Sequence, residues 1–356
     1  MRLLAPSTLP IGLDVGATGV RAVQVARARG GARIIAAASV PRRAVGAPFD
    51  GAEAGRVAAV LARRGFRGEG VTVCAPGDRA LCAVMELPPR SSGAPLEVIA
   101  RQELARASRC EAGALELAWW ELPGGARAAE GTHVMAVGCR HADAEPLVAA
   151  ALSAGLDVAA LDAPPTALAR ACAPLASPAP ELTAIVSLGW TAAQLIMLAG
   201  PTLVYERTLG DSGLRLLHTA VANQLGADDE LTRFLVRTAG CAQPAEGEAA
   251  LEQAGEARSL VAAHADGVAS EVRTGMSYAV RRFDAPLTRL VLAGGGAAVP
   301  GVPERLKERT GLDVRVARAG DLCPAAPGVA EEDLGPDMAL ALGLALHALD
   351  TKGGAA

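Results

Sequence analysis

The chain has 356 residues, enough for more than one packed unit, and 51% of them are hydrophobic while only 3% are aromatic. Cores of that composition are filled by Ala, Leu and Val. This favours close helix–sheet packing and argues against an aromatic-lined nucleic-acid surface. The net charge is -4, with acids and bases interleaved, so the basic stripe that a DNA or RNA partner needs is missing.

In chain order, Ile11–Val25 (IGLDVGATGVRAVQV) reads as strand, small-residue turn and strand, with a third strand over Arg33–Val40. Val71–Ala75 and Ala80–Leu87 are predicted strands, and Pro95–Ala107 a helix with its proline in the first turn. Strands follow over Leu115–Leu122 and His133–Cys139, then a helix over Ala142–Ala154 and a strand over Val158–Leu161. Asp162 is the expected N-cap of a helix running to Ala171. Leu182–Tyr205 carries no charge and is long enough to span a membrane, but Ser187, Gly189, Gln194 and the Gly200-Pro201 turn make it strand, turn and strand. Helices are predicted over Leu214–Leu225, Asp228–Ala239 and Leu260–Phe283, with Cys241–Ala257 left unassigned. The remainder reads as a strand at Leu290–Ala293, a glycine turn and a helix at Val302–Thr310. A strand at Val314–Ala317, a loop over Ala319–Gly335 and a closing helix at Met338–Leu349 complete it.

The chain contains an internal repeat. Ile185–Leu198 (IVSLGWTAAQLIML) aligns without a gap on the first hairpin, placing Ser187 on Asp14, Gly189 on Gly16, Thr191 on Thr18 and Leu198 on Val25. Two such meanders, each opening a lobe, indicate a duplicated α/β fold. Seven scattered cysteines without a Cys-x-x-Cys pair read as free thiols of a reducing compartment, neither a metal site nor a disulfide framework.

The turns carry the candidate chemistry. In Asp14-Val-Gly16-Ala17-Thr18, successive amides form an anion nest, Asp14 can hold magnesium through water, and Arg21 can reach a terminal phosphate; a plain hairpin is the alternative. The second turn, Ser187-Leu-Gly189-Trp190-Thr191, keeps the nest, lacks the acid and adds the bulk of Trp190. Gly294-Gly295-Gly296, between a strand and a helix, permits close approach of a nucleoside, or is a tight loop only.

This order of motifs resembles the actin, Hsp70 and sugar-kinase superfamily. Val73-Cys-Ala-Pro-Gly77, Met85-Glu-Leu-Pro88, Ile99–Ala105, Leu161–Arg170, Glu271–Tyr278, Leu292–Gly301 and Asp337–Leu346 together resemble the type IV pilus assembly protein PilM family. The resemblance covers nearly the whole chain. It implies an actin-like, ribonuclease H-like duplicated fold with an inserted subdomain as in FtsA. The expected limits are 8–70 with 162–180 for the first lobe, 71–161 for the insert, 181–350 for the second lobe (its helical part about 210–285) and 351–356 for a tail. It also implies ATP and Mg2+ at Asp14, Gly16, Ala17, Thr18, Arg21, Ser187, Gly189, Thr191, Gly294, Gly295 and Gly296. The implied role is a cytoplasmic adaptor, peripheral to the inner membrane through partners, that docks the N-terminal tail of a PilN-like protein in a groove walled by about Val71–Leu104. Actin-like folds also often self-associate.

Four positions depart from the family. Ser187 replaces Asp, Arg21 replaces Lys, Ser212-Gly213 has lost the first glycine of a Gly-Gly pair, and the apolar Leu235 stands where the family has Lys. The departures imply weakened or lost hydrolysis, with binding also in question, and at most a weak ATPase. A small-molecule kinase is a rival reading, with Asp162 the one available base. Another rival is a cytoplasmic component of a type II secretion system; Met338–Leu349 is too short to span, so membrane contact is expected to be indirect.

Overall fold

The computed structural model describes residues 7–28, 31–77, 79–123, 131–242 and 252–350. Three sheets organise them. The first has the order β3-β2-β1-β4-β8, from β1 (Ile11–Val15), β2 (Gly19–Ala28), β3 (Gly31–Pro41), β4 (Gly70–Cys74) and β8 (Asp157–Asp162). A small sheet of order β5-β7-β6 holds β5 (Leu81–Leu87), β6 (Leu115–Glu121) and β7 (Thr132–Arg140). The third repeats the plan of the first as β11-β10-β9-β12-β13, from β9 (Leu182–Leu188), β10 (Ala193–Ala199), β11 (Thr202–Leu209), β12 (Leu287–Ala293) and β13 (Asp313–Val316).

The duplication extends to hydrogen-bond register. Asp14 lies opposite Arg21 and Val15 opposite Val20 in one hairpin; Ser187 lies opposite Gln194 and Leu188 opposite Ala193 in the other. In each sheet the first hairpin strand also pairs in parallel with the strand after the crossover. This is a two-lobed actin-like fold. Leu182–Tyr205 forms strands, and among the described residues no helix is long and apolar enough to cross a membrane.

The helices fill the layers. Helix α1 (Gly51–Arg63) and α3 (His141–Ser153) cover one face of the first sheet, burying Val57, Leu61, Leu147 and Ala151 against Ile11, Leu13 and Val73. Helix α2 (Leu96–Ala107) packs its Leu96 and Ala100 on Leu87 and Val134 of the small sheet. Helix α4 (Pro164–Cys172) and, much later, α10 (Ala339–Ala345) pack on each other and lie between the two large sheets. Helices α5 (Leu214–Leu225), α6 (Asp229–Thr238), α7 (Glu252–Phe283) and α8 (Val302–Thr310) cover the outer side of the second lobe.

Several elements depart from the sequence reading. Strands β4 and β8, assigned to the insert, hydrogen-bond within the first sheet because β1 offers them a parallel edge. Residues 71–74 are therefore buried and form no groove wall. Helix α1 was not anticipated, although Asp50 and Glu53 are spaced as a capping pair and the Asp50 carboxylate accepts the Glu53 amide (2.8 Å). Helix α7 begins eight residues before the expected Leu260, inside the stretch left unassigned, of which 243–251 fall outside the described residues. The loop over Ala319–Gly335 contains a short helix α9 (Ala319–Leu322). The closing helix is broken into α10 and α11 (His347–Asp350). Its Met338, Ala341 and Leu342 are buried against Val23, Val25 and Ile34 of the first lobe while Ala339 joins the core of the second, so it lies between the lobes rather than within the second lobe to which 181–350 assigned it. Asp162 precedes the N-cap, which is Ala163.

Candidate functional site

The first turn joins the ends of β1 and β2 and is closed by the Gly16 amide donating to the Gly19 carbonyl (3.1 Å). The strand register sets the Asp14 carboxylate beside the Arg21 guanidinium. Arg21 Nη1 also donates to the Gly19 carbonyl (3.3 Å), and a Cβ on Gly16 would lie 3.0 Å from it, so the guanidinium rests against the turn. Its Nε pairs with Asp337 Oδ2 at 3.0 Å. Burial pushes the Asp14 carboxyl up to about 6; Arg21 opposes that rise and Asp337 adds to it.

The second turn is tied to helix α5. The Gly189 carbonyl accepts the Leu214 amide (3.0 Å) and the Trp190 carbonyl accepts the Arg215 amide (2.9 Å), so two free donors of the helix N-terminus are spent on the turn. A Cβ on Gly213 would overlap the Thr191 carbonyl, which explains why this glycine is retained beside Ser212. The Trp190 ring packs edge-on against His218 of α5 with centroids 4.7 Å apart. Gln194, in the register position of Arg21, donates to Glu206 (3.0 Å) and leaves Ser187 without a charged neighbour across the hairpin.

The triple glycine follows β12, whose Ala293 pairs with Ser187, so this loop and the second turn are adjacent. Gly294 has φ +81, and a Cβ there would lie 2.7 Å from the Leu188 carbonyl. A Cβ on Gly296 would lie 2.5 Å from Leu188 Cβ. Packing therefore accounts for both. Gly295 is exposed, with no atom nearer than Leu214 Cδ1 at 3.9 Å, and is the position a ligand can approach. The Gly294 amide donates to Pro336 (2.9 Å) while the next residue, Asp337, holds Arg21. Pro336-Asp337 thus ties the glycine loop of one lobe to the hairpin of the other.

Asp14, Gly16 and Arg21 are brought together by the first hairpin, and Ser187, Gly189 and Gly294 by the paired strands of the second sheet. Thr191 is exposed at the foot of α5. Asp162 has a different task. It accepts from the Ala163 amide (2.8 Å), Thr166 Oγ1 (2.5 Å) and Arg170 Nη1 (2.8 Å), with His347 Nδ1 at 3.4 Å. Burial alone would raise its carboxyl, yet the hydrogen bonds from His347, Thr166 and Arg170 and the charge of Arg170 bring it down to about 2. With its oxygens taken up by these partners, Asp162 serves as a structural anchor at the start of α4, which speaks against its use as the free base that the kinase reading needs. Sequence reasoning missed Asp337 as a site residue and missed Arg42 and Glu53 behind the first turn. Glu53 had a signal in its capping spacing. Arg42 and Asp337 had none, since their partners Gly16 and Arg21 lie 26 and 316 positions away.

Two lobes of the same strand order, glycine turns at the ends of paired strands and two helices between the sheets define a protein of the actin-like fold. More narrowly, the chain belongs to the type IV pilus assembly protein PilM family, whose profile matches residues 12–349. It is similar to the solved PilM-PilN type IV pilus biogenesis complex, with TM-score 0.77 and 21% identity over 95% of this chain and 97% of that one. It shares the fold of the ethanolamine utilization protein EutJ from Carboxydothermus hydrogenoformans (TM-score 0.54, 15% identity, 96% and 90% covered). The activator of 2-hydroxyisocaproyl-CoA dehydratase from Clostridium difficile, solved with bound ADPNP, is also similar (TM-score 0.50, 14% identity, 97% and 96% covered). None of the curated proteins compared with the chain matches it.

Proposed function

We propose that this chain is an adaptor of the type IV pilus assembly machinery that docks the cytoplasmic N-terminal tail of a PilN-like inner-membrane protein, itself staying cytoplasmic and reaching the membrane through that partner. The observation carrying this reading is the similarity, over almost the full length of both chains, to a PilM protein solved with its PilN partner. The groove belongs between the first lobe and the insert from about residue 76 onward. Titrating a labelled peptide of that tail into the protein and following fluorescence anisotropy tests the reading. Saturable binding that a scrambled peptide does not reproduce is expected. No binding, with or without Mg-ATP, overturns it.

ATP is the proposed ligand of the cleft, with phosphates at the first turn and Arg21, and the nucleoside at Gly295. Magnesium fits this donor set with Asp14 as its one carboxylate and water and phosphate oxygens as the rest, and it would supply charge neutralisation to the phosphates. Ser187 brings no second acid, so turnover is slow and the nucleotide acts by binding. Calorimetry with Mg-ATP is the check: micromolar binding is expected, and no heat would leave a scaffold without a nucleotide.

A further inference from the structure

The backbone of the first turn is tied down from behind. Arg42, after the end of β3, has a side chain only 3% exposed. Its Nη1 donates to the Gly16 carbonyl (3.0 Å), while its Nη2 donates to the carbonyls of Ala47 (2.5 Å) and Pro48 (3.2 Å). The Gly46 amide takes the Ala17 carbonyl (2.9 Å) and the Arg42 amide takes the Thr18 carbonyl (3.0 Å). Three successive carbonyls, of Gly16, Ala17 and Thr18, are thus drawn toward the one segment 42–46.

In a planar trans peptide the N–H points opposite to the C=O of the preceding residue. Holding those carbonyls back therefore turns the amides of Ala17, Thr18 and Gly19 the other way. The Ala17 and Thr18 amides donate to no acceptor among the described residues. Converging unpaired amides are the elements of an anion nest. Arg42 is itself fixed: its Nε lies 3.4 Å from Glu53 Oε1, and its guanidinium stands 5.7 Å from the Phe49 ring centroid. Glu53 is held in turn by the Arg56 guanidinium (2.7 Å) and the Arg43 amide (3.3 Å).

We infer that Arg42 is a positioning residue for phosphate recognition: it pre-orients the Ala17 and Thr18 amides toward the oxyanions of a nucleoside triphosphate without touching them. The inference rests on the nucleotide-binding reading above. A preformed donor pair needs no reorganisation when charge arrives, and this is what distinguishes a site from a flexible hairpin. An arginine is needed because one planar fork reaches two sides, the turn carbonyl and the Ala47–Pro48 carbonyls, which a lysine ammonium cannot span.

The test compares ATP with adenosine, which lacks the phosphates, in the full chain and in Arg42→Met and Arg42→Lys. Both ligands are titrated by calorimetry, and the Ala17 and Thr18 amides are followed by 15N chemical shift during titration with pyrophosphate. Thermal melts show which variants are folded. The expected result is ATP affinity reduced about tenfold or more in Arg42→Met, about 1.4 kcal/mol per tenfold, with adenosine affinity unchanged. Arg42→Lys should lie between, and the pyrophosphate-induced amide shifts should shrink in the same order. Equal ATP affinity in folded Arg42→Met or Arg42→Lys overturns the role of Arg42 alone, as does an equal loss for ATP and adenosine. If the unchanged protein binds neither ATP nor pyrophosphate, the nucleotide reading falls and this inference with it.

Discussion

Asp14, Cys74 and Asp162 stand at the ends of the three parallel strands β1, β4 and β8, and the two acids are held in opposite ways. Asp14 has its carboxyl raised from the ordinary 3.8 to about 6, chiefly by burial. The folded chain binds this proton more tightly than the unfolded chain, so ionisation works against the fold. The cost is absent below about pH 4, grows as pH rises to about 6 and is constant above. Asp14→Asn is expected to stabilise the protein by about 2 kcal/mol at pH 7.5 and to flatten that decline, read from urea midpoints at pH 4, 6 and 7.5. Asp162 is the reverse case, lowered to about 2, so its ion pair stabilises the fold fully above about pH 4 and is lost as pH falls through 2. With the Asp162 side chain 8% exposed and Arg170 partnered to it, Asp162→Asn should cost about 3 kcal/mol at neutral pH. Its stability should converge on that of the parent near pH 2. Equal stability of the two proteins at pH 7 would show that the pair has no structural role.

At the scale of elements, the contact between the lobes depends on backbones approaching through glycine. A Cβ on Gly12 of β1 would overlap the Ala341 carbonyl of α10, and a Cβ on Gly343 of α10 would overlap the Ala167 carbonyl of α4. The stack of β1, α10 and α4 therefore has no room for one methyl group, and backbone cannot yield as a side-chain tip can. Gly343→Ala is expected to lower stability by about 3 kcal/mol, in the range of overpacked cores. Gly55 in α1 is exposed, with nothing within 4 Å of its added Cβ. Gly55→Ala should raise stability by about 0.5–1 kcal/mol through helix propensity alone. Thermal midpoints moving in opposite directions would confirm the pair; a neutral Gly343→Ala would mean that α10 can slide on α4.

The same stack shows what the sequence could reveal. The hairpins were legible because alternating apolar residues and a glycine turn are local, and the repeat was legible because strand register preserves spacing. The glycine turns of the candidate site were found for the same reason. What stayed hidden depends on partners far along the chain. The pattern at Met338–Leu349 marked a helix but not the lobe it joins. Val71–Ala75 marked a strand but not its sheet. Nothing local to Asp337 marks its ion pair with Arg21.

Over the whole molecule, the insert is a bridge rather than an appendage. One face of its sheet packs on α2, but Cys82, Trp120, Met135 and Val137 on the other face join the apolar cluster of β9–β11 in the second lobe. Trp120 Nε1 also donates to the Leu203 carbonyl of β11 (2.9 Å). The insert is covalently part of the first lobe and is packed on the second, so it cannot unfold without exposing the core of another unit. Unfolding in urea is therefore expected to be one cooperative transition. Of the three tryptophans, Trp119 and Trp120 lie on β6 and Trp190 in the second lobe. In Trp190→Phe, fluorescence reports the insert while far-UV ellipticity reports the helices of both lobes. The two curves should coincide. Trp120→Ala, which removes the half-buried ring and its hydrogen bond, should move the fluorescence transition of that variant to lower urea than the ellipticity transition. An early fluorescence transition already present with Trp120 intact would mean that the insert folds and opens alone.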